Sequence, residues 1–130
     1  MRIGIIDCGG ANLNSIFYSL QRLGIDSIIT NSIKDLSNVD GYILPGVGSA
    51  NVVMSSLIKN KLDLFIKKIK KPTLGICVGM QVMYEYSEEG DTNCLGLIEG
   101  NIKKFKHNSG LVVPQMGWNK VNCNDNNKNL

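Results

Sequence analysis

Apolar residues along this chain fall into two alternating rhythms. Arg2 to Ile6 is a short apolar run rich in β-branched residues, the pattern of a strand. Asp7-Cys8-Gly9-Gly10-Ala11-Asn12 then makes a turn, after which Leu13, Ile16, Phe17, Leu20 and Leu23 recur at helical spacing, with Gly24 as the natural stop. Asp26 to Thr30 predicts a second strand, Ser32 to Leu36 another helical turn, and Gly41 to Leu44 a third strand. Two helical segments follow, Asn51 to Ile58 and Leu62 to Lys70, and then a fourth, buried strand running into Cys77, with a helix after Gly79. Strands alternating with helices through short loops predict an α/β fold, with a mostly parallel central sheet and helices on both faces. After Glu85 the rhythm is lost. Ser87-Glu88-Glu89-Gly90-Asp91 is a polar turn, Leu95 to Phe105 reads as short strand-like pieces, and Asn122 to Leu130, with five Asn, is a polar tail.

Three predicted loops leave the carboxyl ends of strands, at Asp7, Gly46 and Cys77, and in parallel sheets that is where ligands bind. The loop Pro45-Gly46-Val47-Gly48 suits backbone conformations that side chains forbid, so its N–H groups can turn toward a ligand. Gly75-Ile76-Cys77-Val78-Gly79 places a cysteine on a tight turn between strand and helix, a nucleophile elbow. The turn lifts the sulfur clear of the sheet, Gly75 and Gly79 leave room where a Cβ would clash, and the helix N-terminus supports negative charge there. The Val78 N–H is expected to point where an oxyanion forms when Cys77 attacks a carbonyl. Acyl transfer through a thioester is the chemistry this predicts. A cysteine in such a turn also occurs as a merely small, buried residue.

Composition narrows the class. A chain of 130 residues with 43% hydrophobic content fits one domain with a real core. Its formal charge of +3 has its densest contribution in Lys67 to Lys71, which reads as a solvated helix end. No basic patch with interleaved aromatics points to nucleic acid, and no apolar run has the length of a membrane span. Cys8, Cys77, Cys94 and Cys123 show no C-x-x-C spacing, and with one histidine neither a metal nor a cofactor is expected. No secretory leader is expected either, which favours a reducing, cytoplasmic compartment; Cys8, Cys94 and Cys123 are expected to be inert.

Taken together, Ile6-Asp7-x-Gly with Asn12, Leu44-Pro45-Gly46-Val47-Gly48, Gly75-Ile76-Cys77-Val78-Gly79-Met80-Gln81, Gly96-Leu97-Ile98-Glu99-Gly100, and Pro114 with Met116-Gly117-Trp118-Asn119 form an ordered set. In this set the chain resembles the glutamine amidotransferase subunits of imidazole glycerol phosphate synthase, class I (triad-type) glutaminases of histidine biosynthesis. The resemblance covers nearly the whole chain and implies a flavodoxin-like class I amidotransferase fold. It implies that residues 1–130 are the amino-terminal part of such a domain, incomplete at the carboxyl end. Cys77 would be the nucleophile that attacks glutamine, and backbone amides at Val78 and Val47 would form the oxyanion hole. Gly46 and Gly48 would line the substrate site, Gln81 would hold the amino-acid end of glutamine, and Glu89 would help bind its ammonium. Asn12, Met116 and Trp118 would face a partner cyclase of (β/α)₈ barrel fold, which receives the ammonia in a heterodimer. Other readings stand beside these: Gln81 as an ordinary helix residue, Glu89 as a solvated turn carboxylate, Trp118 as the cap of a small core.

The chain departs from the family pattern in three places. Such glutaminases carry a His-x-Glu pair toward the carboxyl end as base and orienting acid, and the single histidine here, His107, has no carboxylate spaced to orient it. Where the family usually has Tyr-Gly-Met-Gly before the Asn, this chain has Cys8-Gly9-Gly10-Ala11; where a His usually follows Pro114, it has Gln115. These departures leave two alternatives. One is a paralogous amidotransferase that supplies ammonia for surface-sugar synthesis. The other is a non-catalytic subunit, if Leu130 is the true end.

Overall fold

The computed structural model describes residues 1–10, 12–105, 113 and 117–120. Strands β1 (Arg2–Ile6), β2 (Asp26–Thr30), β3 (Gly41–Leu44) and β4 (Thr73–Gly75) form one sheet in the order β2-β1-β3-β4, every pair parallel. That order is the beginning of the flavodoxin-like winding, and it puts the switch in strand order between β1 and β3. The first three strands have the bounds that the β-branched runs predict.

Helix α1 (Leu13–Arg22) begins where the Asn12 side chain accepts the Ser15 N–H at 3.3 Å. It ends where Gly24 takes a φ of +70° and Ile25 N–H reaches the Leu20 carbonyl at 3.0 Å, a Schellman-type stop that favours glycine. Helices α2 (Ile33–Leu36), α3 (Ala50–Lys59), α4 (Leu62–Ile66) and α5 (Val78–Gln81) follow. A small second sheet, β6-β5-β7, pairs β5 (Tyr86–Ser87) antiparallel with β6 (Thr92–Asn93) and parallel with β7 (Asn101–Ile102).

The main core lies on one face of the large sheet, where Leu36, Val39, Leu44, Val53, Leu57, Leu62, Ile66, Val82 and Leu95 are all buried. Each such side chain contributes roughly 1.5–3 kcal/mol by leaving water. Gly4 admits this packing, since a Cβ there would meet Leu36 Cδ2 at 2.9 Å. The register places Ile29, Ile5, Ile43 and Leu74 in one row on the opposite face. Along that row exposure climbs from 0% at Ile5 through 8% at Ile43 to 58% at Leu74.

The fourth strand is thus not the buried one its apolar residues predict. It lies at the edge of the sheet, with Leu74 and Ile76 exposed, because among the described residues nothing packs outside β4. Helix α4 is shorter than predicted, stopping at Ile66, and α5 opens at Val78, ahead of Gly79, and makes a single turn. Lys71 is also not simply part of a solvated helix end, as its Nζ donates to the carbonyls of Val39 and Ser37. Of the strand-like pieces expected over Leu95 to Phe105, only Asn101–Ile102 forms a strand. No helix among the described residues is long and apolar enough to cross a membrane.

Candidate active site

The loops after β1, β3 and β4 gather at the carboxyl edge of the sheet, as the strand pattern predicts. Their meeting is enforced by close backbone approach. A Cβ on Gly46 would stand 2.6 Å from Gly79 N, and one on Gly75 would stand 2.6 Å from Met80 Cα and 2.7 Å from Met83 Sδ. Real side chains do not tolerate such distances, so the glycines of both motifs let the β3 loop, β4 and α5 interlock around Cys77.

Cys77 itself has φ 55° and ψ −122° and is exposed. Those dihedrals are natural to glycine, and a side-chain-bearing residue there costs about 1–3 kcal/mol. Strain of this kind persists where the surroundings over-determine it. Here the Ile76 N–H bonds to the Leu44 carbonyl at 3.0 Å, and the Cys77 carbonyl accepts from Gln81 N–H at 3.1 Å, so both flanks of the turn are pinned.

Val78 is buried and opens α5, so its N–H lies ahead of the helical ladder. Among the described residues it has no backbone acceptor, and the same is true of the N–H groups of Val47 and Gly48. Gly46 is buried, whereas Val47 and Gly48 are exposed, Gly48 with a φ of +80°. Donors without acceptors on two adjoining loops, next to an exposed thiol, are what stabilisation of an oxyanion calls for.

Gln81 is half-buried one turn beyond Cys77, and its Oε1 is buried with no partner among the described residues. Glu89 is half-buried in the turn between β5 and β6. That turn comes down on the start of α3: a Cβ on Gly90 would meet Asn51 Cγ at 3.0 Å, and Ser49 Oγ donates to Asn51 Oδ1. Its neighbours have structural work, since Glu85 accepts Gly100 N–H at 3.0 Å and Glu88 accepts Lys104 N–H at 2.8 Å.

The residues expected at a partner surface divide differently. Asn12 is exposed but serves as the N-cap of α1. Trp118 is fully exposed at 104%, so among the described residues it caps no core. Met116 lies outside the described residues, as do Pro114, Gln115, His107 and Cys123.

One contact at the site went unread in the sequence. Cys8 is buried and its Sγ lies 2.9 Å from the Pro45 carbonyl oxygen, tying the loop after β1 to the loop after β3. Burial pushes the Cys8 thiol above its ordinary value, as it does that of Cys94. A bond between residues 37 apart leaves no trace in periodicity; only the convergence of their loops hinted at it.

Comparison with known proteins agrees with this geometry. The family model "Glutamine amidotransferase class-I" matches residues 4–127. The imidazole glycerol phosphate synthase subunit HisH of Bacteroides fragilis (strain YCH46) is 41% identical over 126 residues, covering 95% of this chain and 63% of that protein. The subunit of the same name from Xanthomonas oryzae pv. oryzae (strain MAFF 311018) is 43% identical over 119 residues, covering 92% of this chain and 60% of that protein. The chain therefore spans about three fifths, 63% and 60%, of the length of these curated relatives. Among solved structures, a glutamine amidotransferase superimposes with a TM-score of 0.66 at 18% identity, over 76% of this chain and 54% of that one, a likeness of fold.

Proposed function

We propose, since the chain belongs to the class-I glutamine amidotransferase family, that it is a glutaminase whose nucleophile is Cys77. The observation that carries this is the elbow itself. An exposed thiol sits on a strained turn, with the Val78 N–H on one side and the loop of Gly46, Val47 and Gly48 packed against it.

In the proposed reaction a lone pair on the Cys77 thiolate forms a C–S bond to the carboxamide carbon of glutamine, and the π electrons move onto oxygen. The Val78 and Val47 amides receive that oxyanion; one such donor is worth about 3 kcal/mol. Collapse breaks the C–N bond, and ammonia leaves carrying an added proton. Water then adds to the thioester, and the thiolate departs from glutamate. These proton transfers need a general base. Gln81 supports the substrate assignment, since its buried Oε1 is an acceptor without a partner, suited to the amino-acid end of glutamine. Gly46 and Gly48 would line the same pocket, and Glu89 would add negative charge near the substrate ammonium.

The pathway is inferred from the named relatives. The ammonia would pass to a cyclase subunit of imidazole glycerol phosphate synthase in histidine biosynthesis, within a heterodimer and in the cytoplasm. Exposed Trp118, with Asn12 and Met116, would meet that partner, since a bare Trp is an interface anchor in waiting.

The test is glutamine incubated with the chain and a cyclase subunit of this kind, with glutamate release and the intact mass of the chain both followed. Glutamate release together with a glutamyl thioester on Cys77, both absent in Cys77→Ala, is the expected result. Equal glutamate release by Cys77→Ala would sink the proposal.

A further inference from the structure

Glu85, Glu88, Glu89 and Asp91 crowd the segment around the turn from β5 to β6, and all but one have structural work. Glu85 accepts the Gly100 N–H, Glu88 accepts the Lys104 N–H, and Asp91 accepts the Tyr86 hydroxyl at 2.7 Å. Among the described residues the Glu89 carboxylate alone has neither a hydrogen bond nor an ion pair. The turn that carries it is stiff within itself. Ser87 is fully buried and its Oγ accepts the Glu89 N–H at 3.2 Å, Thr92 Oγ1 donates to the Gly90 carbonyl at 2.8 Å, and the Glu88 N–H reaches the Ile102 carbonyl at 2.9 Å. Gly90 and Asp91 both take left-handed dihedrals, with φ of +80° and +48°. A tip locked in this way moves as a unit, and what remains to be set is how far it stands from the rest of the molecule.

That distance is set at Asn51. A Cβ on Gly90 would lie 3.0 Å from Asn51 Cγ, 3.1 Å from its Oδ1 and 3.3 Å from its Cβ, so the bare α-carbon of Gly90 rests against the Asn51 side chain. Asn51 is held in its turn, as Ser49 Oγ donates to its Oδ1. It stands in the first turn of α3, just past Gly48, on the chain whose Gly46 packs against Gly79 at the elbow. The tip of the second sheet is thereby referenced to the elements that hold Cys77.

We propose that Asn51 is a positioning residue for substrate binding: seated under Gly90 and held by Ser49, its side chain fixes the height of the turn from which Glu89 reaches the α-ammonium of glutamine. The proposal rests on the function proposed above and on the role given there to Glu89. It needs only the backbone of the turn in place, since the glutamate side chain turns to the ammonium when substrate arrives. A charge-assisted N–H···O bond is made at about 2.7–2.9 Å, so a carboxylate carried on a displaced turn loses it. Asn51→Ala opens a gap the size of a carboxamide under Gly90, and the stiff turn tilts into it as one piece. The packing of Gly46 and Gly79 does not involve Asn51, so the loss falls on the ammonium and spares the carboxamide end.

The test follows alkylation of Cys77 by iodoacetamide, quantified by peptide mass, in the presence of glutamine or of glutaramate, which is glutamine without its α-ammonium. Binding of either ligand is read as protection of the thiol. The ratio of the two half-protecting concentrations then reports the ammonium alone, and a merely structural defect leaves that ratio unmoved.

In the wild type glutamine should protect at a concentration about tenfold or more below that of glutaramate. In Asn51→Ala the ratio should fall by about fivefold or more, with the glutaramate value and the unprotected alkylation rate each unchanged within about twofold. Glu89→Gln should lower the ratio at least as far, and Asn51→Ala added to it should lower it no further. Asn51 is exposed and alanine is the better helix former, so the variant should keep its fold, which circular dichroism checks; if it is unfolded, Asn51→Ser takes its place. A wild-type ratio in Asn51→Ala overturns the proposal, and so does an equal loss for both ligands or a further fall in the double variant. Equal protection by the two ligands in the wild type, or an unchanged ratio in Glu89→Gln, removes the role of Glu89 and overturns the proposal while leaving the glutaminase reading in place. If neither ligand slows alkylation of the wild type, the glutaminase reading fails and the proposal with it.

Discussion

Gly79 and Leu44 approach so closely that a Cβ on Gly79 would lie 1.9 Å from the Leu44 carbonyl oxygen. The atom it would strike is backbone, held in the parallel ladder with Gly75, so no side-chain rotation relieves the clash. Gly79→Ala must push α5 off the end of β3. We expect it to destabilise the fold by about 3 kcal/mol or more, measured as a lowered urea midpoint. A midpoint equal to that of the wild type would show that the two elements are not held at this distance.

The dihedrals of Cys77, φ 55° and ψ −122°, separate the demands of chemistry from those of stability. Cys77→Gly relieves the strain and should be more stable than Cys77→Ala by about 1 kcal/mol, after the extra chain entropy of glycine is counted. Both variants lose the thiol and should release no glutamate. Thermal melts of the pair check the first statement, and a glutamate assay checks the second.

Gln81 carries an opposite trade. Its Oε1 is buried without a partner among the described residues, so Gln81→Leu removes an unsatisfied acceptor at little change in volume. Stability should hold or rise by up to about 1 kcal/mol, while the concentration of glutamine needed for half-maximal thioester formation rises about tenfold or more. A loss of stability with unchanged glutamine dependence would make Gln81 a structural residue.

Asn12→Ala tests a residue with two claims on it. Loss of the bond to Ser15 N–H should cost about 1 kcal/mol of stability, read by urea unfolding of the chain alone. A partner-facing role would add a loss of cyclase affinity that Asn12→Ser, which keeps the cap, reproduces.

Alkaline pH should loosen the fold. Burial raises the thiols of Cys8 and Cys94 above 9.0 and the phenol of Tyr42 above 10.0, and the hydrogen bond to Asp91 raises that of Tyr86. All four groups lose a proton more readily when unfolded, so the unfolded chain binds fewer protons and stability falls with rising pH. The effect is absent below the ordinary thiol value and grows above it. Urea midpoints should be level from about pH 7 to about pH 8 and decline from about pH 9 upward. Cys94→Ala should make that decline shallower, and a midpoint that rises above pH 9 would contradict the sign.

Much of this architecture is legible in the residues alone, and the exceptions share a cause. Strands β1 and β2 carry β-branched runs, β3 is stopped by Pro45, and α1 carries its cap at Asn12 and its stop at Gly24, so local chemistry fixes them. The elbow is legible because Cys77, between Gly75 and Gly79, falls where the strand pattern gives way to a helical one. Leu74 misleads: an apolar residue in a strand announces a wish for cover, and periodicity cannot say whether a neighbour supplies it. The single turn of α5 misleads for a related reason, since Val82 and Met83 continue the apolar pattern while their backbones serve Leu95, Leu97 and Ile98 in place of a longer helix. The bond from Cys8 to Pro45 is tertiary throughout, and no rule of spacing reaches it.

The outer flank of β4, bare among the described residues, runs straight into the elbow. Among the described residues, Thr73 to Gly75 offers an unshared rail of backbone groups beside the exposed Leu74, a ready template for another strand. Cys77 follows that rail after a single intervening residue. A strand added along that rail, from the same chain or another, would lie one residue from the turn that holds the nucleophile.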